Sequence, residues 1–292
     1  MIQSPAKLNL GLRIVGRRED GYHFLESLFW PINFCDSLTF FPSSQPKVEC
    51  FWAKDAPFGE IQLFQNRENL VGKIFSLLPR QTNQADWNIH ISKRIPLGGG
   101  LGGCSSNCGT ALSFLVANQL MQKEEAENLA VQLGADVPFF LRPQPTWVTG
   151  IGENRCELTV EPQLKERLFF LVALFPFASS TPDVFERFRH SKAPFSPSTR
   201  FDTARPLTFD SLSSYLKSAK NDLEAVVKPL SEPIAKTLDI LGLTDCLYSG
   251  LSGTGSTCFA VYSSLEKRLK ASKEIEQNCR RYSCKTLFAE TF

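Results

Sequence analysis

The chain has 292 residues, 42% hydrophobic and 21% charged, with 24 phenylalanines. That is globular composition with ample core material; it excludes a disordered or collagen-like chain, and the length suggests two domains or one large one. Lys and Arg number 32 against 30 Asp and Glu, a net charge of +2, so no whole-chain field steers the protein to nucleic acid or to an anionic membrane.

Nine cysteines, an odd number without a Cys-x-x-Cys pair, do not read as a secreted disulfide framework. They read as reduced and mostly buried thiols. Cys104 and Cys108 are spaced to share a helix face, but no second ligand pair follows to complete a zinc site. No basic stretch followed by an apolar run opens the chain. The most apolar stretch, residues 168–175, is far short of the ~20 residues that span a bilayer. A cytoplasmic protein is expected, with that stretch a strand buried on both faces.

In chain order, residues 6–15 alternate through Leu8, Leu10, Leu12 and Ile14 and predict a strand. Residues 16–21 are charged and turn-rich, and 24–41 predict further strands. A stripe through Leu70, Ile74 and Leu77 predicts a helix over 69–78, stopped by Pro79. Trp87, Ile89 and Ile91 mark another strand. Beyond residues 98–103, five of them glycine, apolar positions Cys108, Ala111, Leu112, Leu115, Val116 and Leu120 have helical spacing. A strand thus leads through a glycine loop into a helix. A second helix over 123–133 ends at Gly134, a natural C-terminal cap. Residues 191–205, rich in Ser, Pro and Thr, read as a loop. The last third predicts helices over 221–227 and 233–241, a strand over 245–249, a glycine turn over 250–255 and a strand over 257–262. A capping box from Ser263 to Glu266 opens a helix, and a last strand covers 285–289. This order predicts an antiparallel sheet with helices on one side, hence α+β, and a domain break near 150–165.

The glycine loop can turn tightly and expose backbone N–H groups. The helix behind it adds orphan donors and a positive dipole end, so the segment suits phosphate. Ser105 and Ser106 can add hydroxyl contacts to phosphate or metal. A P-loop would need Lys where Cys104 stands. Gly98, Gly100 and Gly103 satisfy Gly-x-Gly-x-x-Gly, but the acid expected about 20 residues on, Glu124 or Glu125, falls in a helical stretch rather than at a strand end. A merely flexible turn would not need five glycines at a helix start.

These residues carry a resemblance. Pro96, Leu97, Gly98, Gly99, Gly100, Leu101, Gly102, Gly103, Cys104, Ser105 and Ser106 resemble the Pro-x-x-x-Gly-Leu-Gly-(Gly/Ser)-Ser-Ser phosphate loop of the GHMP kinases. Ser4-Pro-Ala-Lys-Leu-Asn-Leu10 resembles their N-terminal motif, and Leu251-Ser-Gly-Thr-Gly-Ser-Thr257 their third, glycine-rich motif. Four further segments, Arg17-Arg-Glu-Asp-Gly-Tyr-His23, Gly134-Ala-Asp-Val-Pro-Phe-Phe140, Thr181-Pro-Asp-Val-Phe185 and Asn221-Asp-Leu-Glu224, resemble the branch that acts on a cytidine-bearing substrate. The resemblance implies an α+β, two-lobed fold. A ribosomal S5 domain 2-like lobe would span 1–155 and bind ATP; a ferredoxin-like lobe would span 156–292 and complete the substrate site. It also implies phosphoryl transfer from ATP, as its Mg2+ complex, to the 2-hydroxyl of cytidine diphosphate methylerythritol, in the non-mevalonate (MEP) route to isoprenoids. There are departures: Cys104 stands for a usual Gly or Ser, and Cys108-Gly109 for two alanines. Gly109 is expected to cost about 1 kcal/mol of helix stability relative to Ala.

Under this resemblance Asp136 matches the catalytic aspartate, accepting the hydroxyl proton; from the residues alone it reads equally as a cap after Gly134. Lys7 matches its partner lysine, expected within hydrogen-bond or one-water reach of Asp136; the alternative is a surface lysine at a strand start. Tyr22 and His23 match the cytidine-binding segment, with Phe185 stacking on the base; core packing is the alternative for Phe185. Asn9 matches a substrate contact, or is a strand-surface Asn. Gly253 and Gly255 would bring N–H groups to substrate phosphates, or form a hairpin turn. No Asp/Glu cluster identifies magnesium ligands. Beyond the small molecule, no nucleic-acid or membrane partner is expected, and the oligomeric state is not legible. The alternatives are a mevalonate- or homoserine-type kinase, which has no use for a cytidine pocket, and a non-catalytic nucleotide-binding module, against which Lys7 and Asp136 both speak.

Overall fold

The computed structural model describes residues 1–43, 47–59, 68–77, 86–199 and 201–292. They form two compact units, one of residues 1–6, 34–97 and 102–143, the other of residues 7–33, 98–101 and 144–292. Compactness therefore divides the chain differently from a cut near residue 155. The cause is two long strands, β1 (Ile2–Arg17) and β2 (His23–Ser43), which each run through both units. β2 is one continuous strand where the sequence predicts several.

In the first unit the end of β2 pairs antiparallel with β4 (Asp86–Lys93), from Ser37 opposite Ser92 to Ser43 opposite Asp86. β3 (Lys47–Trp52) pairs with β4 in parallel, so this sheet is mixed. Helices α1 (Leu70–Leu77), α2 (Gly103–Ala117) and α3 (Lys123–Leu133) cover it. Their apolar stripes meet the sheet in a core that includes Leu38, Ile89, Ile91, Ile74, Leu112 and Leu129. The expected end of α1, at residue 78 with its stop at Pro79, lies outside the described residues. α3 ends where the sequence predicts, and the Gly134 N–H bonds the Ala130 carbonyl at 3.2 Å.

The second unit holds the start of β2, paired with β5 (Thr146–Thr149), which in turn pairs with β6 (Asn154–Glu157). The short helix α4 (Pro162–Glu166) leads into β7 (Phe169–Leu174). β8 (Tyr248–Leu251), β9 (Cys258–Tyr262) and β10 (Lys285–Ala289) complete an antiparallel sheet of order β10-β7-β9-β8. Between β7 and β8 lie α5 (Thr181–His190), α6 (Phe209–Ser218), α7 (Glu224–Val227) and α8 (Glu232–Gly242); α9 (Leu265–Cys279) joins β9 to β10. This β-α-β-β-α-β order is the ferredoxin-like pattern. β7 is central and buried on both faces, as the apolar run predicts: Leu171 and Ala173 join a core with Leu238, Leu241 and Ile275, while Phe170 and Val172 are equally inaccessible.

Local differences have local causes. The helix expected over 221–227 begins only at Glu224, because Asn221 pairs with Leu12 of β1. The strand expected from residue 245 starts at Tyr248. The cap of α9 is Ser264, which accepts the Lys267 N–H, so Ser263 and Glu266 form no capping box. The capping box instead opens α6, between Thr208 and Ser211.

Candidate active site

The first unit carries Pro96, Leu97 and the half of the glycine loop that enters α2. Gly102 caps α2 with φ 72° and no side-chain hydrogen bond. The first-turn N–H groups, from Gly103, Cys104 and Ser105, are thus not capped by the Gly102 side, and they stand at the positive end of the dipole. Cys104 is exposed and Ser105 half-buried. Ser106 is fully buried, its hydroxyl 2.8 Å from that of Ser4.

Beneath this turn lies a buried polar network that sequence reasoning missed. Asp36 accepts the Arg94 and Ile95 N–H groups at 2.7 and 2.9 Å, the Asn107 amide at 2.9 Å and the Lys93 ammonium. Lys93 also donates to Asn107 Oδ1 at 3.0 Å. Burial opposes the charge of Lys93, but the Asp36 carboxylate outweighs it and holds the lysine above its ordinary range. The network ties the residues before Pro96 to the first turn of α2. A Cβ on Gly103 would sit 3.2 Å from Lys93 Nζ.

Asp136 is half-buried and precedes a 3₁₀ turn, Val137–Leu141, whose first residues it does not cap with its side chain. The capping alternative is therefore not realised. That turn packs on α2 at Gly109, where a Cβ would meet Phe140 Cβ at 2.6 Å. The helix-propensity cost of Gly109 thus secures a close approach that alanine would obstruct.

In the second unit Lys7 and Asn9 share one face of β1, two residues apart. Both are buried, so neither is a surface residue. Lys7 Nζ donates to Asn9 Oδ1 at 2.5 Å and lies 4.6 Å above the Phe29 ring. Asn9 Nδ2 donates to Ser27 Oγ at 2.9 Å, and Ser27 to the Gly11 carbonyl at 2.6 Å.

The apex of the glycine loop, Gly98 to Leu101, is pinned by its carbonyls. These accept from Ser179 N (2.9 Å, to Gly98), Thr257 N (3.2 Å, to Gly99), Ser252 Oγ (2.9 Å, to Gly100) and Lys7 N (3.0 Å, to Leu101). A Cβ on Gly100 would fall 2.0 Å from the Ser252 carbonyl oxygen. The third glycine motif connects antiparallel β8 and β9, so it is a hairpin loop as well as a motif, with φ 58° at Gly253 and 84° at Gly255. It approaches β1: Asn9 N lies 3.4 Å from Ser252 Oγ, and a Cβ on Gly253 would be 3.4 Å from Asn9 Oδ1.

His23, at the start of β2, stacks on Phe185 with ring centroids 5.6 Å apart and planes inclined by 29°, and meets Phe188 edge-on. Burial, then the Arg17 and Arg189 charges, push the His23 imidazole below its ordinary range and favour its neutral form. Tyr22 is 61% exposed, with the Arg18 guanidinium 5.6 Å from its ring centroid. α5, which carries Phe185, is tied to the third loop through the Thr181 and Thr254 hydroxyls, 3.0 Å apart.

Gly98, Gly100 and Gly102 all have positive φ, a backbone conformation that glycine adopts without strain. Among the described residues no group of three or more His, Cys, Asp or Glu side chains is placed to hold a metal ion.

Glycine loops bonded to one another, and a helix entered without a side-chain cap, suit an anionic, phosphate-bearing ligand. Residues 69–143 match the model of the GHMP kinases N terminal domain, and residues 204–282 that of the GHMP kinases C terminal domain. The chain is 34% identical to a 4-diphosphocytidyl-2-C-methyl-D-erythritol kinase of Acinetobacter baumannii, over 89% of this chain and 86% of the relative. It is 33% identical to the kinase of that name from Desulfotalea psychrophila, over 97% and 91%. A crystal structure of 4-(cytidine 5'-diphospho)-2C-methyl-D-erythritol kinase superposes with TM-score 0.74 at 27% identity, covering 100% of this chain and 99% of that one. Methanococcus jannaschii mevalonate kinase shares the fold, with TM-score 0.63 at 12% identity over 100% and 98%. The chain belongs to the GHMP kinase family.

Proposed function

We propose that this protein is an ATP-dependent kinase that phosphorylates the 2-hydroxyl of 4-diphosphocytidyl-2-C-methyl-D-erythritol, a step of the non-mevalonate route to isoprenoid precursors. The observation that carries the choice of acceptor is the His23–Phe185 ring stack on a kinase fold. A buried imidazole held neutral can both accept and donate along a cytosine edge. Phe185 and the exposed Tyr22 offer ring faces for the base. A mevalonate or homoserine acceptor would have no use for either.

ATP supplies the phosphoryl group, and the chain's residues position and neutralise. The N–H groups of the Pro96–Ser106 segment hold the nucleotide phosphates, and those around Gly253 and Gly255 the substrate diphosphate. Asp136 accepts the proton of the attacking hydroxyl. Lys7, fixed by Asn9 and Phe29, stabilises negative charge on that oxygen. Asn9 orients the acceptor. The family-model matches at 69–143 and 204–282 fall on either side of residue 155, which supports an N-terminal nucleotide-binding lobe over 1–155 and a C-terminal lobe over 156–292. No helix among the described residues is long and apolar enough to cross a membrane.

The test is ADP release with Mg-ATP and three acceptors: the cytidine-diphosphate compound, mevalonate and homoserine. Turnover with the first alone is expected, and no turnover with it refutes the proposal. Asp136→Ala should abolish turnover while nucleotide binding persists. Equal use of a uridine analogue would overturn the role given to His23.

A further inference from the structure

The segment Asn221-Asp-Leu-Glu224 resembles a family sequence, yet the reaction above gives it no task. Its geometry points to one. The backbone on either side of Asn221 lies against β1 as a strand would: Leu12 N donates to the Lys220 carbonyl and Asp222 N to the Leu12 carbonyl, each at 2.8 Å. From that position the Asn221 amide reaches the third glycine loop. Nδ2 donates to the Leu251 carbonyl at 2.8 Å and to the Gly253 carbonyl at 2.7 Å, and Oδ1 accepts the Leu223 N–H at 3.0 Å. The residue is 4% exposed. Both amide protons are thus committed to carbonyls of the loop. Glu224 completes the grip by accepting the Leu251 N–H at 2.9 Å.

We infer that Asn221 is a positioning residue that sets the direction of the N–H groups in the third glycine loop. In a planar trans peptide the C=O and the following N–H point opposite ways. Drawing the Gly253 carbonyl onto Asn221 turns the Thr254 N–H to the other side of the loop. Because the same residue is bonded into β1, the loop is held in register with the strand that carries Lys7 and Asn9. The ligand class is the diphosphate of a nucleoside diphosphate ester, and that assignment rests on the function proposed above. Asn is the residue type this task requires. Asp removes both donors and sets an anion against two carbonyl oxygens. Gln carries the amide one methylene too far.

Asp222 supplies the control. Its Oδ2 accepts the Ile14 N–H at 2.8 Å and the Ser196 hydroxyl at 2.6 Å, so it anchors the same segment to β1 without touching the loop. The experiment compares Asn221→Asp, Asn221→Ala and Asp222→Asn in the full chain. Three measurements are made: amide hydrogen exchange, direct ATP binding, and steady-state kinetics with the cytidine-diphosphate acceptor. Both Asn221 variants should accelerate exchange in peptides covering residues 251–257 and leave exchange in α2 unchanged. They should lower kcat/KM for the acceptor by about 100-fold, the scale of a small misplacement of aligned groups, while ATP affinity changes little. Asp222→Asn should lower the melting temperature without accelerating exchange in the loop. Unchanged exchange over 251–257 in Asn221→Asp, or equal loss of ATP and acceptor binding, would overturn the inference. The exchange readout does not depend on the acceptor. If exchange responds but the wild type does not use the cytidine compound, the proposed substrate has failed and the positioning role stands.

Discussion

Replacing Lys93 by methionine keeps most of the side chain's volume and removes its charge. The wild-type ammonium is 2% exposed and the Asp36 carboxylate 0%. In the variant that carboxylate retains the Arg94 and Ile95 N–H groups and the Asn107 amide, three neutral donors, but no counter-charge. Breaking a buried pair from one side costs about 3–5 kcal/mol. That is a large share of the 5–15 kcal/mol typical of a whole domain. Asp36→Asn should cost a similar amount, because it strands the lysine instead. The double variant Asp36→Asn/Lys93→Met should recover part of the loss, since no isolated charge remains. Urea unfolding of the four proteins measures these differences. The sign of the pH dependence follows from the raised pKa of Lys93. Stability from the pair is fully present below the unfolded lysine value, about 10.4, and is lost as pH rises through the folded value. The gap between wild type and Lys93→Met should therefore narrow only in strong alkali. A Lys93→Met protein within 1 kcal/mol of wild type at pH 7 would refute the reasoning (about a third of the lower bound).

Other outcomes follow from single positions. Gly100→Ala adds a Cβ 2.0 Å from the Ser252 oxygen at a φ of +77°; it should abolish ATP use, measured by ADP release, and retained activity would contradict the interlocked loops. His23, lowered by burial and then by Arg17 and Arg189, should titrate below the ordinary value of about 6.5 in an NMR experiment. The stability it contributes is present above that value and is lost as pH falls through the folded pKa. Arg189→Gln should move the midpoint back up, and a midpoint at or above 6.5 in the wild type would count against the burial argument. Burial pushes the Cys108 thiol up to about 12 and that of Cys50 to about 11. Cys104 is exposed in the first turn of α2, so iodoacetamide footprinting at pH 8 should label Cys104 first, with ATP slowing the reaction. Equal labelling of Cys108 would show α2 opening rather than packed.

Periodicity made most of the fold legible. The apolar run of β7 and the stripe of α2 through Cys108, Ala111, Leu112 and Leu115 bury what they predict, because a strand covered on both faces and an amphipathic helix differ in period. The elements misread were those whose backbone bonds go to distant partners. Asn221 looks like the start of a helix, and its carboxamide instead serves Leu251 and Gly253, 30 and 32 residues away. Ser263 and Glu266 fit a capping pattern that Ser264 takes over one residue later. The parallel pairing of β3 with β4 joins segments separated by a helix, which local pattern cannot reveal. The glycine loop and the helix it enters were legible, whereas Asp36 and Lys93 beneath the first turn of that helix were not. A charged residue in a strand reads as solvent-facing unless its partner, here 57 positions away, is known.

Lys7, which the proposed function makes catalytic, poses the same problem. Alternation in β1 assigns Leu8, Leu10, Leu12 and Ile14 to one face and Lys7, Asn9 and Gly11 to the other, and a half-buried strand would put that second face in water. Here both faces are covered. The second face is polar because it holds a lysine whose ammonium bonds Asn9 and lies over Phe29. A cation confined in this way acts at short range in a low dielectric, where one charge is worth more than several on the surface. On the function proposed above, that makes a net charge of only +2 compatible with two polyanionic ligands. On that proposal the field the ligands would meet is local, made by Lys7 and by backbone N–H groups of the glycine loops, and counting charged residues along the sequence detects neither.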